Sequence, residues 1–152
     1  MNDRFGKYVE QLPQLLEQMI SASPRSLREL KEFPKHGGCY ALIENEKYLY
    51  VGIAKNLKQR MQNHTSGRAE QSAFAFKLAR EITGKKTDYT KNGSRKALMS
   101  DPIFVAAMDD TTNRVRQMTA KYVQIDDPAQ RYLFEFFAAT SLAAPYNDFE
   151  TH

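Results

Sequence analysis

The chain has 152 residues, 41% of them hydrophobic and 26% charged, enough for one globular domain with its own core and too few for two comfortable ones. Its single cysteine, Cys39, excludes an internal disulfide and a cysteine-based metal cluster. No run approaches the roughly 18 apolar residues of a membrane span, and the first residues lack the apolar core of a secretory leader, so the expectation is a cytoplasmic protein in a reducing compartment, without a membrane partner. The net charge of +4 is unevenly spread: residues 55–96 hold eleven Lys and Arg against Glu70, Glu81 and Asp88, a local +8, and the remainder stands at −4. A basic middle on an acidic remainder fits a polyanion partner, although a solvated helical face would give the same counts.

Phe5, Tyr8, Val9, Leu12, Leu15, Leu16, Met19 and Ile20 recur at three- and four-residue steps, which predicts a helix that Pro13 should kink or restart. Ser23 and Pro24 read as the cap and first residue of a short helix carrying Leu27 and Leu30, and Pro34 with Gly37-Gly38 ends this N-terminal arm at about residue 35. Residues 38–44 and 47–53 are rich in Tyr, Leu, Val and Ile and predict two strands joined as a hairpin through Glu44-Asn45-Glu46-Lys47. A two-residue loop would set Tyr40 against Val51. An odd-numbered loop centred on Asn45 would set Tyr40 against Tyr50 on one face, and that register is expected if both phenols serve one site.

Asn56 can cap a helix on which Leu57, Arg60, Met61 and His64 share one stripe. A helix over about 70–83 follows, with Phe74, Leu78 and Ile82 on one stripe and Gly84 as its stop. Residues 85–96 show no period and read as an exposed basic loop, mobile in part. Asp101-Pro102 opens a helix through about Met108, residues 115–125 alternate as a strand, and Asp127-Pro128 opens a last helix to about Leu142.

Three features could carry chemistry. Glu135 lies within Leu133-Phe134-Glu135-Phe136-Phe137, where a largely buried helix would leave a carboxylate in need of a cation, a metal or a proton, unless it faces solvent. A hard divalent cation can be held by one or two carboxylates with water and substrate phosphate completing its shell. Arg60 suits phosphate oxygens and His64 can accept a proton near neutral pH, one helical turn apart. Tyr40 and Tyr50 bring two phenols to one hairpin.

Gly38-Cys39-Tyr40, Tyr50-Val51-Gly52, Arg60 and His64, followed by Glu135 and by Asn147 in Pro145-Tyr146-Asn147, resemble the GIY-YIG nuclease family. The resemblance covers roughly residues 36–64 and 128–148, with Cys39 and Val51 where the family usually has Ile. It implies an α+β fold, a small three-stranded antiparallel sheet flanked by helices, with the N-terminal helical arm (1–35) packed on a nuclease domain (36–148) that carries a basic insertion at about 65–115. It implies that Tyr40 orients or deprotonates the attacking water with help from His64. Tyr50 would bind the scissile phosphate or assist the proton transfer, Arg60 would stabilise developing charge, Glu135 would hold one Mg²⁺ or Mn²⁺, and Asn147 would fix the geometry. Gly38 and Gly52 would be structural, Gly52 allowing close approach where strand turns to helix. DNA is the implied substrate, with Lys55, Arg68, Lys77, Arg80, Lys85, Lys86, Lys91, Arg95 and Lys96 on its phosphates. The rival readings are a catalytically silent nucleic-acid-binding module of the same fold and a domain whose basic face meets an acidic protein.

Overall fold

Cys39, Ala41, Val51 and Val123 alternate with residues of the opposite face along three neighbouring strands, and two helices cover them. The computed structural model describes residues 3–85 and 94–149; Lys86, Lys91 and most of the basic loop expected over 85–96 lie outside them. The strands are β1 (Arg25–Ser26), β2 (Gly38–Glu44), β3 (Lys47–Ala54) and β4 (Thr119–Gln124), antiparallel in the order β1-β4-β2-β3. The sheet thus has four strands where three were expected, and the α+β class holds. Against it lie α1 (Asp3–Ser21) and α6 (Pro128–Ser141), which contribute Leu12, Met19, Phe134, Ala138 and Ala139 to the core over Cys39, Ala41, Val51 and Val123. Burial of the Leu, Met, Phe and Val side chains among them contributes roughly 1.5–3 kcal/mol each.

The chain divides into two compact units, Met1–Gln59 with Met118–His152, and Arg60–Gln117. The helix α2 (Leu57–His64) begins in the first and continues into the second. The second unit holds α3 (Ala73–Thr83), the short α4 (Arg95–Leu98) and α5 (Pro102–Arg116). There Phe76 meets Phe104 with ring centroids 5.1 Å apart, and the Thr111 hydroxyl donates to the Ala75 carbonyl at 2.8 Å. Among the described residues no helix is long and apolar enough to cross a membrane.

Several boundaries differ from the sequence reading for identifiable reasons. Ser23-Pro24 opens no helix: residues 25–26 pair with β4, Leu27 N–H donates to Met118 O at 3.2 Å, and only a 3₁₀ turn forms at Leu30–Glu32. A sheet edge with free backbone groups outcompetes a helix carrying two apolar residues. Pro13 lies inside a continuous α1, with Leu12 and Met19 on either side of it buried in one core. Helix α5 runs past Met108 because Thr111, Thr112 and Val115 prolong the buried stripe begun by Phe104, Ala107 and Met108; threonines hid that period, and β4 starts correspondingly late. Gly84 does stop α3, at φ 69°, whereas Ile82 faces solvent and the buried stripe is Phe74, Ala75, Phe76, Leu78 and Ala79.

The hairpin turn has two residues, not an odd number. Asn45 and Glu46 both have positive φ, 51° and 65°, as a type I′ turn requires, and Glu44 pairs with Lys47 and Ile43 with Tyr48. An irregularity between Leu42 and Ile43 then shifts the register by one, so Leu42 pairs with Tyr50 and Tyr40 with Gly52. The two tyrosines therefore share a face as diagonal neighbours, through a bulge rather than through loop length.

Position 46 is strained by its side chain, since left-handed backbone costs an L-residue roughly 1–2 kcal/mol. Glu46→Gly should raise the urea midpoint by an amount worth about 0.5–1 kcal/mol after the added chain entropy of glycine. An unchanged or lower midpoint would show that the turn is not of this type.

Candidate active site

The first unit brings the two tripeptides together. A Cβ built on Gly52 would lie 2.4 Å from the Tyr40 hydroxyl oxygen and 2.5 Å from its Cζ. The Tyr40 ring therefore lies across the bare Cα of Gly52, and it is this ring, rather than another backbone segment, that forbids a side chain there. Tyr40 is buried at 1% exposure, Tyr50 is half-buried, and their ring centroids are 6.4 Å apart with planes tilted by 53°. Gly38 is required for a different reason: its Cβ would stand 2.3 Å from the Val123 carbonyl oxygen, inside the β2–β4 pairing.

Asn147 holds the second tripeptide. Its Oδ1 accepts from the Val51 N–H at 2.8 Å, its Nδ2 donates to the Val51 carbonyl at 2.7 Å, and Tyr146 N–H donates to Leu49 O at 3.1 Å. Because β3 is the outer strand among the described residues, the Asn147 amide takes the place of a strand partner on that side. Its contact with the site is through the backbone of Tyr50-Val51-Gly52.

Glu135 is half-buried on α6. The helix is not largely buried as its composition suggested: Phe134 and Ala138 face the core, but Tyr132 is 69% and Phe136 54% exposed. The Cys39 thiol is pushed well up, first by burial and then by the negative charge of Glu135, which locates that carboxylate near the start of β2. Among the described residues no three side chains of His, Cys, Asp or Glu gather as a metal cage. The donor set at Glu135 is one carboxylate, which fits a hard divalent cation that takes its other ligands from water and phosphate.

One turn before Glu135, Arg131 is a residue the sequence reading missed. Its Nε donates to Ile125 O at 2.9 Å, Nη2 to Asp126 O at 2.9 Å and Nη1 to Ala54 O at 3.4 Å, and its guanidinium fills the space where Gly37 would carry a Cβ. Its only signal in the sequence is an i,i+4 spacing to Glu135, and its hydrogen bonds go to backbone carbonyls.

In the second unit Arg60 is half-buried and His64 is 2% exposed, one turn apart on α2. Burial, and secondarily the charge of Arg60, pushes the His64 pKa down to about 3, so the imidazole is neutral throughout the physiological range. The candidate phosphate contacts are not equivalent. Lys55 and Lys96 are exposed and Lys77 is half-buried. Arg68 is bridged to Glu70 at 3.6 Å, and Lys85 is paired with Asp101, the cap of α5. Arg80 and Arg95 both lie over the Phe76 ring.

Residues 36–96 match the model of the GIY-YIG catalytic domain. Glu135 and Asn147 lie beyond that segment. The chain is similar to the UvrABC system protein C of Borrelia duttonii (strain Ly), with 43% identity over 106 residues, 69% of this chain and 17% of that protein; the same figures hold for the UvrABC system protein C of Borrelia recurrentis (strain A1). The match spans about a sixth of the length of these relatives. No solved structure matches.

Two predictions follow from this geometry. Gly52→Ala should cost about 1–3 kcal/mol, as overpacking does, and should be nearly neutral when introduced into Tyr40→Ala; additive costs in that double-mutant cycle would refute the ring-over-glycine contact. His64 binds its proton more weakly folded, at about 3, than unfolded, at about 6.5. Its contribution is therefore full above about pH 6.5 and is lost as pH falls toward 3, by about 1.4 kcal/mol per pH unit. His64→Gln should flatten the decline between pH 6.5 and 5, above the main carboxylate range; an unchanged slope would contradict a buried neutral imidazole.

Proposed function

We propose that this chain, which belongs to the GIY-YIG family through residues 36–96, is an endonuclease that hydrolyses phosphodiester bonds in DNA with the aid of one Mg²⁺ or Mn²⁺. The observation that carries the reading is the seating of Tyr40 on Gly52 beside Tyr50, with the second tripeptide held by Asn147. That arrangement gives a physical reason for Gly52 and sets both phenols on one face of the hairpin.

Tyr40 orients the attacking water or takes its proton. A phenol with an ordinary pKa of about 10 is a weak base at neutral pH, so it needs positive charge close by. His64, whose pKa of about 3 keeps it neutral at working pH, serves as a hydrogen-bond acceptor and not as the base that finally holds the proton. Tyr50, the more accessible phenol, contacts the scissile phosphate. Arg60 faces the charge that builds on the phosphoryl oxygens, where a guanidinium gains more in the transition state than in the ground state. Glu135 would hold the divalent ion, which when bound polarises the phosphate and supports the leaving oxygen. Asn147 positions without touching the reacting atoms. Lys55, Lys77, Arg80, Arg95 and Lys96, with Lys86 and Lys91, supply the phosphate contacts that fix the strand without reading its sequence. The buried lone thiol of Cys39 suits the reducing cytoplasm.

Labelled single-stranded, duplex and branched DNA and RNA should be incubated with the chain, with and without Mg²⁺. Metal-dependent cleavage of DNA is expected, falling about 10²-fold or more in Tyr40→Phe and in Glu135→Ala. Cleavage by either variant at the wild-type rate would overturn the assigned roles, and a shifted but uncut band would replace the enzyme with a binding module.

A further inference from the structure

Two positive charges share one aromatic ring in the second unit. Arg80 on α3 and Arg95 at the start of α4 place their guanidinium carbons 5.5 and 4.5 Å from the centroid of Phe76. Phe76 is 1% exposed and packs on Phe104, so the platform is fixed by the core. Each guanidinium gains from the ring's negative face. Neither has a carboxylate: the ion pairs of this unit among the described residues are Arg68–Glu70 and Lys85–Asp101. Arg95 gives Nη1 to the Ala69 carbonyl at 2.8 Å, and the buried Nε of Arg80 has no hydrogen-bond partner. Burial and then the charge of Arg95 weaken Arg80's hold on its proton, which records the mutual repulsion. Two like charges held over one ring, with no ion-pair partner among the described residues, have the chemistry of an anion site.

We propose that Arg80 and Arg95, stacked on Phe76, form a clamp for one phosphate group, supplied by the backbone of a nucleic-acid strand. The choice of a strand as the source rests on the nuclease reading above; the clamp itself does not. Planar guanidinium forks match phosphate oxygens in pairs, and a single anion bridging the two would relieve their repulsion. Lys77, three residues before Arg80, and Lys96, next to Arg95, place further positive charge beside it in sequence.

The test uses the whole chain in two measurements. In thermal denaturation at constant ionic strength, inorganic phosphate should raise the melting temperature of the wild type relative to chloride, and Arg80→Gln, Arg95→Gln and Arg95→Lys should abolish the rise. Arg95 is exposed, so its variants report even where Arg80→Gln fails to fold. In fluorescence anisotropy with labelled DNA and EDTA, each Gln variant should weaken binding and reduce the slope of log K against log salt by about one. The double variant should lose no more slope than either single one, because one phosphate is shared. An equal phosphate-induced rise in wild type and variants overturns the clamp. Loss of the rise with an unchanged DNA slope keeps the clamp and overturns the strand as its occupant. Loss of both in a protein that cuts no DNA supports the clamp and rejects only the nuclease reading.

Discussion

The ring of Tyr40 occupies the space that any side chain at position 52 would need, and most of the first unit can be understood as what holds that contact in place. The ring reaches Gly52 only if Tyr40 and residue 52 are cross-strand partners. A regular hairpin closed by the two-residue Asn45-Glu46 turn would not pair them, because its register puts Val51 opposite Tyr40. The bulge between Leu42 and Ile43 supplies the missing step. The bulged strand is also an edge, where register is weakly specified, and there Asn147 closes two hydrogen bonds on Val51, between the tyrosine and the glycine of the second tripeptide.

What the sequence revealed and what it hid divide along the range of the interactions. The two strands and their short turn are legible because a period of two and turn residues are local signals, but the two-residue turn by itself would set Tyr40 and Tyr50 on opposite faces. The bulge was not legible, since nothing marks Leu49, the extra residue of β3 opposite Leu42-Ile43, as different from regular strand. The stripe of Leu57, Met61 and His64 was readable because it is helical and local, and all three are buried. The state of His64 was not, because its neutral imidazole depends on how deeply the fold buries it. Glu135 stood out in an apolar run, yet half of that run faces solvent as Tyr132 and Phe136, so the anomaly that drew attention was weaker than it looked. Gly37 and Gly38 read as a terminator; their real requirement comes from Arg131 and Val123, about ninety residues away in the chain.

The basic stretch shows why counting charge differs from locating it. Of the residues in its described part, Arg68 and Lys85 already face carboxylates, and the Lys85–Asp101 pair helps cap α5. Surface pairs of this kind stabilise little, but they reduce what each cation can offer a distant polyanion. Arg80 and Arg95 are different in kind, because both lie over Phe76 with no ion-pair partner among the described residues. The composition reported an excess of positive charge; the packing holds two of its cations over one ring.

The N-terminal arm, which the sequence offered only as packing, is tied to the element that carries Glu135. The Tyr8 hydroxyl donates to Asp127, and Asp127 caps α6 by accepting from Ala129 and Gln130 N–H. Gln130 in turn gives its Nε2 to the Tyr8 carbonyl at 3.2 Å and to Gln11 Oε1 at 3.1 Å. The first turn of α6 is therefore assembled on α1, while Arg131 fixes the same turn to the end of β3 and to the residues leading out of β4. A carboxylate one turn further along inherits its position from both anchors, since a helix transmits orientation rigidly over so short a distance. Glu135 thus depends on α1 for where it points, and the arm belongs to the physical basis of the site although it contributes no residue to the chemistry.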